Sequence, residues 1–189
     1  MADANNTKNV SVGKGVVGGY LYAAPASTNA PTDYSTALAN TFVNLGYVTD
    51  DGATFSTDAE SNTFKDLNGT DILTSAGGRT RTLNVQLAEV KADVLKEVFG
   101  QSAVTIATGN TAGDITVTHN NNDMPHRMLV MELVLRDGRK WRRVIKDAQV
   151  TEWGDLTVLY SDLVTFDITF TLNGDNPIVD YIQAPPPAL

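Results

Sequence analysis

Residues 164–172 read Val-Thr-Phe-Asp-Ile-Thr-Phe-Thr-Leu, and their alternation decides the fold. Phe166, Ile168, Phe170 and Leu172 fall on one side of an extended chain, and Thr165, Asp167, Thr169 and Thr171 on the other. A period of two marks a strand with one dry and one wet face. Residues 79–88 repeat the pattern, with Leu83, Val85 and Leu87 opposite Thr82, Asn84 and Gln86. Residues 126–136 (HRMLVMELVLR) are apolar on both faces, which places that strand within a sheet stack or at an interface. Asp137-Gly138 signals a tight two-residue hairpin turn, and the return strand is expected over about 139–151. Weaker strand signals lie at 16–23, about 43–49, near 103–107 and at 114–119. Residues 91–99 (KADVLKEVF) predict one helix, with Val90, Val94, Leu95, Val98 and Phe99 on one face and Gly100 as its stop. The fold class is therefore mainly β: a sandwich or barrel with one short flanking helix.

Outside these elements the chain reads as extensions. Residues 1–15 are expected to form an N-terminal arm, 16–173 the β-domain, and 174–189 a C-terminal arm ending in Pro185-Pro186-Pro187. Residues 53–78 are rich in Thr, Asn and Asp, with only short β-like pieces. Loops longer than ~15 residues usually have a task, so this one is expected to project from the body. A chain of 189 residues suits one domain; at this size it buries roughly 70% of its unfolded surface and needs no staple. No apolar run approaches the ~20 residues of a membrane span. The stretch from Met1 to Asn9 lacks the apolar core of a secretory leader, so synthesis in the cytoplasm is expected.

The composition excludes several chemistries. The absence of cysteine removes disulfides, thiolate metal sites and cysteine nucleophiles. A net charge of −8 does not suit a chain that binds nucleic acid over its whole surface. The motif Gly13-Lys14-Gly15-Val16-Val17-Gly18 matches G-x-G-x-x-G, but no strand precedes it and no helix is expected after it, so it reads as a hinge entering a strand. His119 and His126 lack further ligands at metal spacing. Asp50, Asp51, Asp58 and Glu60 match no calcium loop and read as solvated or interfacial acids. No cofactor, no metal and no catalytic set is expected.

One cluster stands out. Arg127, Arg136, Arg139, Lys140, Arg142, Arg143 and Lys146 place half of the 14 basic residues in a single window, beside Trp141. Three readings are open: a nucleic-acid-binding hairpin, a solvated hairpin, and a basic patch that meets acidic surface on an identical subunit. The acidity of the rest of the chain favours the third, with Arg139, Lys140, Arg142 and Arg143 facing Asp50, Asp51, Asp58 and Glu60 across the interface.

The order of motifs carries a resemblance. Leu45-Gly46-Tyr47-Val48-Thr49-Asp50-Asp51-Gly52, the polar loop, the strand 79–89, Asp93-Val94-Leu95-Lys96-Glu97-Val98-Phe99-Gly100, Leu135-Arg136-Asp137-Gly138-Arg139-Lys140 and Ala148-Gln149-Val150-Thr151-Glu152 succeed one another over about 20–172. In this order they resemble the major tail tube proteins of long-tailed, siphovirus-type bacteriophages, especially those of actinobacterial hosts. The resemblance implies a non-enzymatic virion protein and self-assembly into stacked, hexameric rings. It also implies DNA passage through the lumen without specific binding, and tail partners such as tape measure and terminator proteins. In such a tube the polar faces, with Thr82, Asn84, Gln86, Asp167, Thr169 and Thr171, are expected to line the lumen. The competing readings are a carbohydrate- or surface-binding β-sandwich, and an enzyme built on the glycine-rich segment.

Overall fold

The computed structural model describes Thr7 and residues 10–185; the outer ends of both expected arms lie outside the described residues. Eleven strands and one α-helix follow in the order β1 (Gly13–Gly15), β2 (Leu21–Pro25), β3 (Val43–Asn44), β4 (Val48–Lys65), β5 (Asp71–Leu87), α1 (Ala92–Phe99), β6 (Val104–Ile106), β7 (Ile115–Val117), β8 (Arg127–Leu135), β9 (Lys140–Trp153), β10 (Phe166–Leu172) and β11 (Ile178–Ile182). Nine strands form one sheet with the path β3-β2-β8-β9-β10-β5-β4, while β6 and β7 form a separate pair. Among the described residues no helix is long and apolar enough to cross a membrane.

The alternation in the sequence becomes the core. β10 lies antiparallel to β5 with Ile168 opposite Val85 and Phe170 opposite Leu83, so the two dry faces coincide. Leu21 of β2, Leu129 and Met131 of β8, and Ile145, Ala148 and Val150 of β9 join them, and Val94, Leu95 and Val98 of α1 close the cluster. The sheet curls round this core: Phe55 of β4 meets Arg143 of β9, with the guanidinium 4.4 Å from the ring centroid.

β8 is apolar on both faces because both are covered. Its Met128 and Val130 pack with Val144 in a second cluster, under Ala30, Leu38 and Phe42 of the 26–42 connection. Arg142 ties that connection down. It is 3% exposed, pairs with Glu132 at 2.6 Å, and donates to the Asp33 carbonyl at 2.9 Å. The Asp33 side chain accepts from the Ser35 and Thr36 backbone amides at 2.6 Å each. Hydrogen bonds from Thr36 and Ser35 hold its carboxyl far below the usual range.

Several expectations need correction. The 53–78 segment is not an irregular loop. β4 and β5 pair from Ala53↔Val85 to Lys65↔Asp71, making a projecting hairpin whose outer two-thirds have no apolar core beneath them. The expected strand 16–23 begins only at Leu21, because Gly18 and Gly19 take positive φ values of 96° and 156° and turn the chain. Both arms, where described, dock as short strands on their own sheet: β1 on β8 and β11 on β9. The Asp137-Gly138 turn is a three-residue loop, with Leu135 N bonded to Arg139 O at 2.9 Å and Gly138 at φ 86°. Val90, expected on the apolar helix face, is 64% exposed and precedes the helix.

The helix is anchored by a polar contact. Glu97 is 2% exposed, pairs with Arg127 of β8 at 2.5 Å and accepts from Gln101 at 3.1 Å. Burial pushes its carboxyl above the usual range, against the pull of Arg127 and Gln101. Arg127 keeps its charge at any accessible pH, so losing Glu97 strands a buried cation. Glu97→Ala is expected to cost about 3–5 kcal/mol in urea unfolding, whereas Glu97→Leu with Arg127→Met recovers most of that loss.

Candidate assembly surfaces

Four of the seven basic residues in the cluster are paired within the subunit. Arg139 pairs with Asp137 at 2.6 Å, Arg142 with Glu132, and Arg127 with Glu97. Arg143 makes a bidentate pair with Asp180 of β11, at 2.8 and 2.9 Å. The same carboxylate accepts from Trp141 Nε1 at 2.7 Å, and Arg143 lies 5.1 Å from the Trp141 ring centroid. Burial opposes the charge on Asp180, but hydrogen bonds from Arg143 and Trp141 and the charge of Arg143 outweigh it and lower its carboxyl. The guanidinium groups of Arg139, Arg142 and Arg143, expected to meet a neighbour's acids, are each paired with a carboxylate of their own subunit. Lys140 is exposed and has no ion pair among the described residues. Asp180 lies outside the basic window, and only the pairing of β11 with β9 brings it there.

The expected acidic partners separate. Asp50 lines a cleft of about 890 Å³ together with Arg143, Trp141, Tyr47 and the glycine-rich turn. Asp51 is exposed near the start of β4. Asp58 and Glu60 stand exposed on the hairpin shaft, where Gly77 packs so closely against Glu60 that a Cβ there would sit 2.9 Å from the Glu60 side chain.

The expected polar residues come together. Asp167 opposes Gln86, Thr169 opposes Asn84, and Thr171 opposes Thr82, so two separate stretches become one face. Asn84 Nδ2 donates to Asp167 Oδ1 at 2.7 Å and to Thr169 Oγ1 at 3.1 Å. Gln86 accepts from Thr49 Oγ1 at 3.2 Å, and Thr171 exchanges a 2.8 Å hydrogen bond with Thr151. The register extends the face to Thr54, Ser56 and Asp58 of β4 and to Glu152 of β9. None of these paired positions is Lys or Arg. Thr165 precedes β10 and lines a second cleft, whose lining also includes Asp167.

That second cleft was not anticipated from sequence. It has a volume of about 530 Å³ and lies where β9, β10 and the end of α1 converge. Phe99 meets His119 edge-to-face at 4.7 Å and Phe166 at 5.9 Å, while Trp153 Nε1 donates to the Val98 carbonyl at 2.6 Å. The adjoining segment exposes Leu156, Val158, Leu159, Tyr160 and Leu163, each at least 55% accessible. The glycine-rich G-x-G-x-x-G segment forms β1 and a turn into β2, with no helix after it, so it lacks the frame of a phosphate cradle. Among the described residues no group of His, Asp or Glu is placed to hold a metal.

The profile of the phage tail tube protein family matches residues 3–184. No curated protein matches the chain. Among solved structures, the chain is similar to one from the sheath–tube complex of an extracellular contractile injection system in its extended state, with 9% identity, 85% of this chain and 87% of the other covered, and a TM-score of 0.37. A sheath/tube terminator of the same type of system gives 10% identity, 90% and 98% coverage and a TM-score of 0.39. The tube-terminating cap of an anti-feeding prophage gives 12% identity, 98% and 100% coverage and a TM-score of 0.37.

Asp180 supplies a test of the neutralised hairpin. Asp180→Asn is expected to destabilise the subunit by about 1–2 kcal/mol at pH 7: hydrogen bonds to charged groups are worth about 1.5–3 kcal/mol, and solvent screening of this partly exposed pair lowers that. A lowered carboxyl stabilises above its unfolded value, about 3.9, and loses that contribution as pH falls through the folded range. The gap between wild type and variant in chemical unfolding should therefore close below about pH 4.

Proposed function

The chain belongs to the phage tail tube protein family and is a structural protein of the tail tube; on that footing we propose how its faces are used. Six copies close into a ring, rings stack into a tube, and DNA passes through the lumen during infection. The subunit is made in the host cytoplasm and ends in the virion tail, where tape measure and terminator proteins meet the tube. It carries no catalytic activity.

The observation that carries this reading is the cation-free polar face of β4, β5, β10 and β9. Duplex DNA bears a negative charge every ~1.7 Å, so a basic wall would hold it through many contacts at once. A wall of Thr, Asn, Gln and a few acids offers hydrogen bonds without charge attraction and lets the polymer slide. Thr82, Asn84, Gln86, Asp167, Thr169 and Thr171 are assigned to the lumen, and Asp58 joins them. Lys140 and the acids Asp50, Asp51 and Glu60 are left as candidates for contacts between subunits. Such rim charges contribute about 1 kcal/mol or less each.

Two measurements test the assignment. Purified protein should form tubes visible by negative-stain electron microscopy. In a Thr169→Cys variant, the only thiol in the chain should react with a bulky maleimide reagent in free subunits and be shielded in assembled tubes. Rapid labelling along intact tubes would place this face outside. Asp167→Lys should leave tube length unchanged and slow DNA release from intact particles.

A further inference from the structure

The chain holds two Asn-Gly steps, and both follow a leucine: Leu67-Asn68-Gly69 and Leu172-Asn173-Gly174. At such a step the main chain can attack the asparagine side chain, because glycine puts no Cβ beside the attacking nitrogen. Both glycines take a positive φ, 82° at Gly69 and 90° at Gly174. Local sequence and backbone conformation therefore do not separate the two sites. Their hydrogen bonds do.

At the hairpin tip both reacting groups are held. The Gly69 amide donates to the Asp66 carbonyl at 3.0 Å. The Asn68 side-chain nitrogen donates to Asp66 Oδ2 at 3.5 Å, and Asp66 Oδ1 fixes the turn by accepting from the Asn68 and Thr70 amides at 2.9 and 2.7 Å. Between β10 and β11 neither group is held. Among the described residues the Gly174 amide donates to no acceptor, and Asn173 Nδ2 is the one buried side-chain nitrogen without a partner. A buried donor left unpaired is costly, so departure of that nitrogen breaks no hydrogen bond and removes the unpaired group.

We infer that Asn173 is a site of spontaneous deamidation in the folded subunit, with water as the co-reactant. The Gly174 nitrogen bonds to Asn173 Cγ, the Cγ–Nδ2 bond breaks, and the displaced nitrogen leaves as ammonia with the proton given up by the Gly174 amide. Water then opens the cyclic imide at either carbonyl, leaving aspartate or isoaspartate. The position gives the change a structural consequence. Residues 173–177 link β10 to β11 and are fixed to β9 at both ends: Asn173 N donates to the Asp147 carbonyl and Lys146 N to the Pro177 carbonyl, each at 2.9 Å. Isoaspartate adds a carbon to the main chain inside this link and a negative charge beside Asp175. It thereby disturbs the pairing of Ile178 with Ile145 that delivers Asp180 to Arg143.

Each subunit carries its own control. Full-length subunits are incubated at mildly alkaline pH, folded or in urea, and then mapped with trypsin. Cleavage after Lys65, Arg79 and Lys146 puts the two asparagines on separate peptides. Asn176 does not confuse the second peptide, since Pro177 has no amide proton. In folded subunits Asn173 should convert at least about fivefold faster than Asn68, the effect of one held amide. In urea that gap should vanish. Equal rates in the folded subunit, a lead for Asn68, or no conversion at Asn173 would overturn the inference. So would a lead for Asn173 that survives unchanged in urea, because the sequence and not the fold would then set it. In the isoaspartate fraction hydrogen exchange at 178–182 should quicken; unchanged protection would overturn the effect on β11.

Discussion

The pairing register of β5 with β10 is the constraint on which the rest depends. With Ile168 opposite Val85 and Phe170 opposite Leu83, seven apolar side chains enter the core and six polar ones leave it. A slip of β10 by one residue would exchange its faces, sending Asp167, Thr169 and Thr171 into the core. Asn84 opposes such a slip from the wet side as well, because its amide reaches Asp167 and Thr169 together only in the observed register. Core and polar face are two consequences of one alignment. A substitution that weakens the packing of Val85 or Ile168 would also loosen the surface assigned to the lumen.

The same sheet disposes of the cations. Four arginines within 127–146 meet carboxylates inside the subunit, and each pair joins elements distant in sequence or fixes a turn. Arg127 holds the helix, Arg142 holds the 26–42 connection, Arg143 holds β11, and Arg139 closes the β8–β9 turn. More than half of what reads along the chain as a basic patch is, in three dimensions, a set of fasteners. The net charge of −8 is thereby left to side chains outside these four pairs.

Much of this was legible in residue order, for definite physical reasons. Strands with period-two alternation, such as 166–172, declare both their existence and their faces. The two-faced apolarity of 127–135 declares a covered strand, and a second core was found over it. The hairpin hid itself because Thr, Asn, Ser and Asp on a strand solvated on both faces show no alternation. β11 hid because Ile178 to Ile182 is short and follows Pro177, and its value lies in delivering Asp180 to partners 37 and 39 residues away. Glu97 read as one more charge on a helix, and nothing near it in sequence announces Arg127. The aromatic cleft was out of reach for the same reason: Phe99, His119, Trp153 and Phe166 come from four separate stretches.

One strand thus passes through three environments. The outer part of β5 ends in exposed apolar groups, its inner part divides a dry core from a wet face, and its last residue borders an apolar cleft.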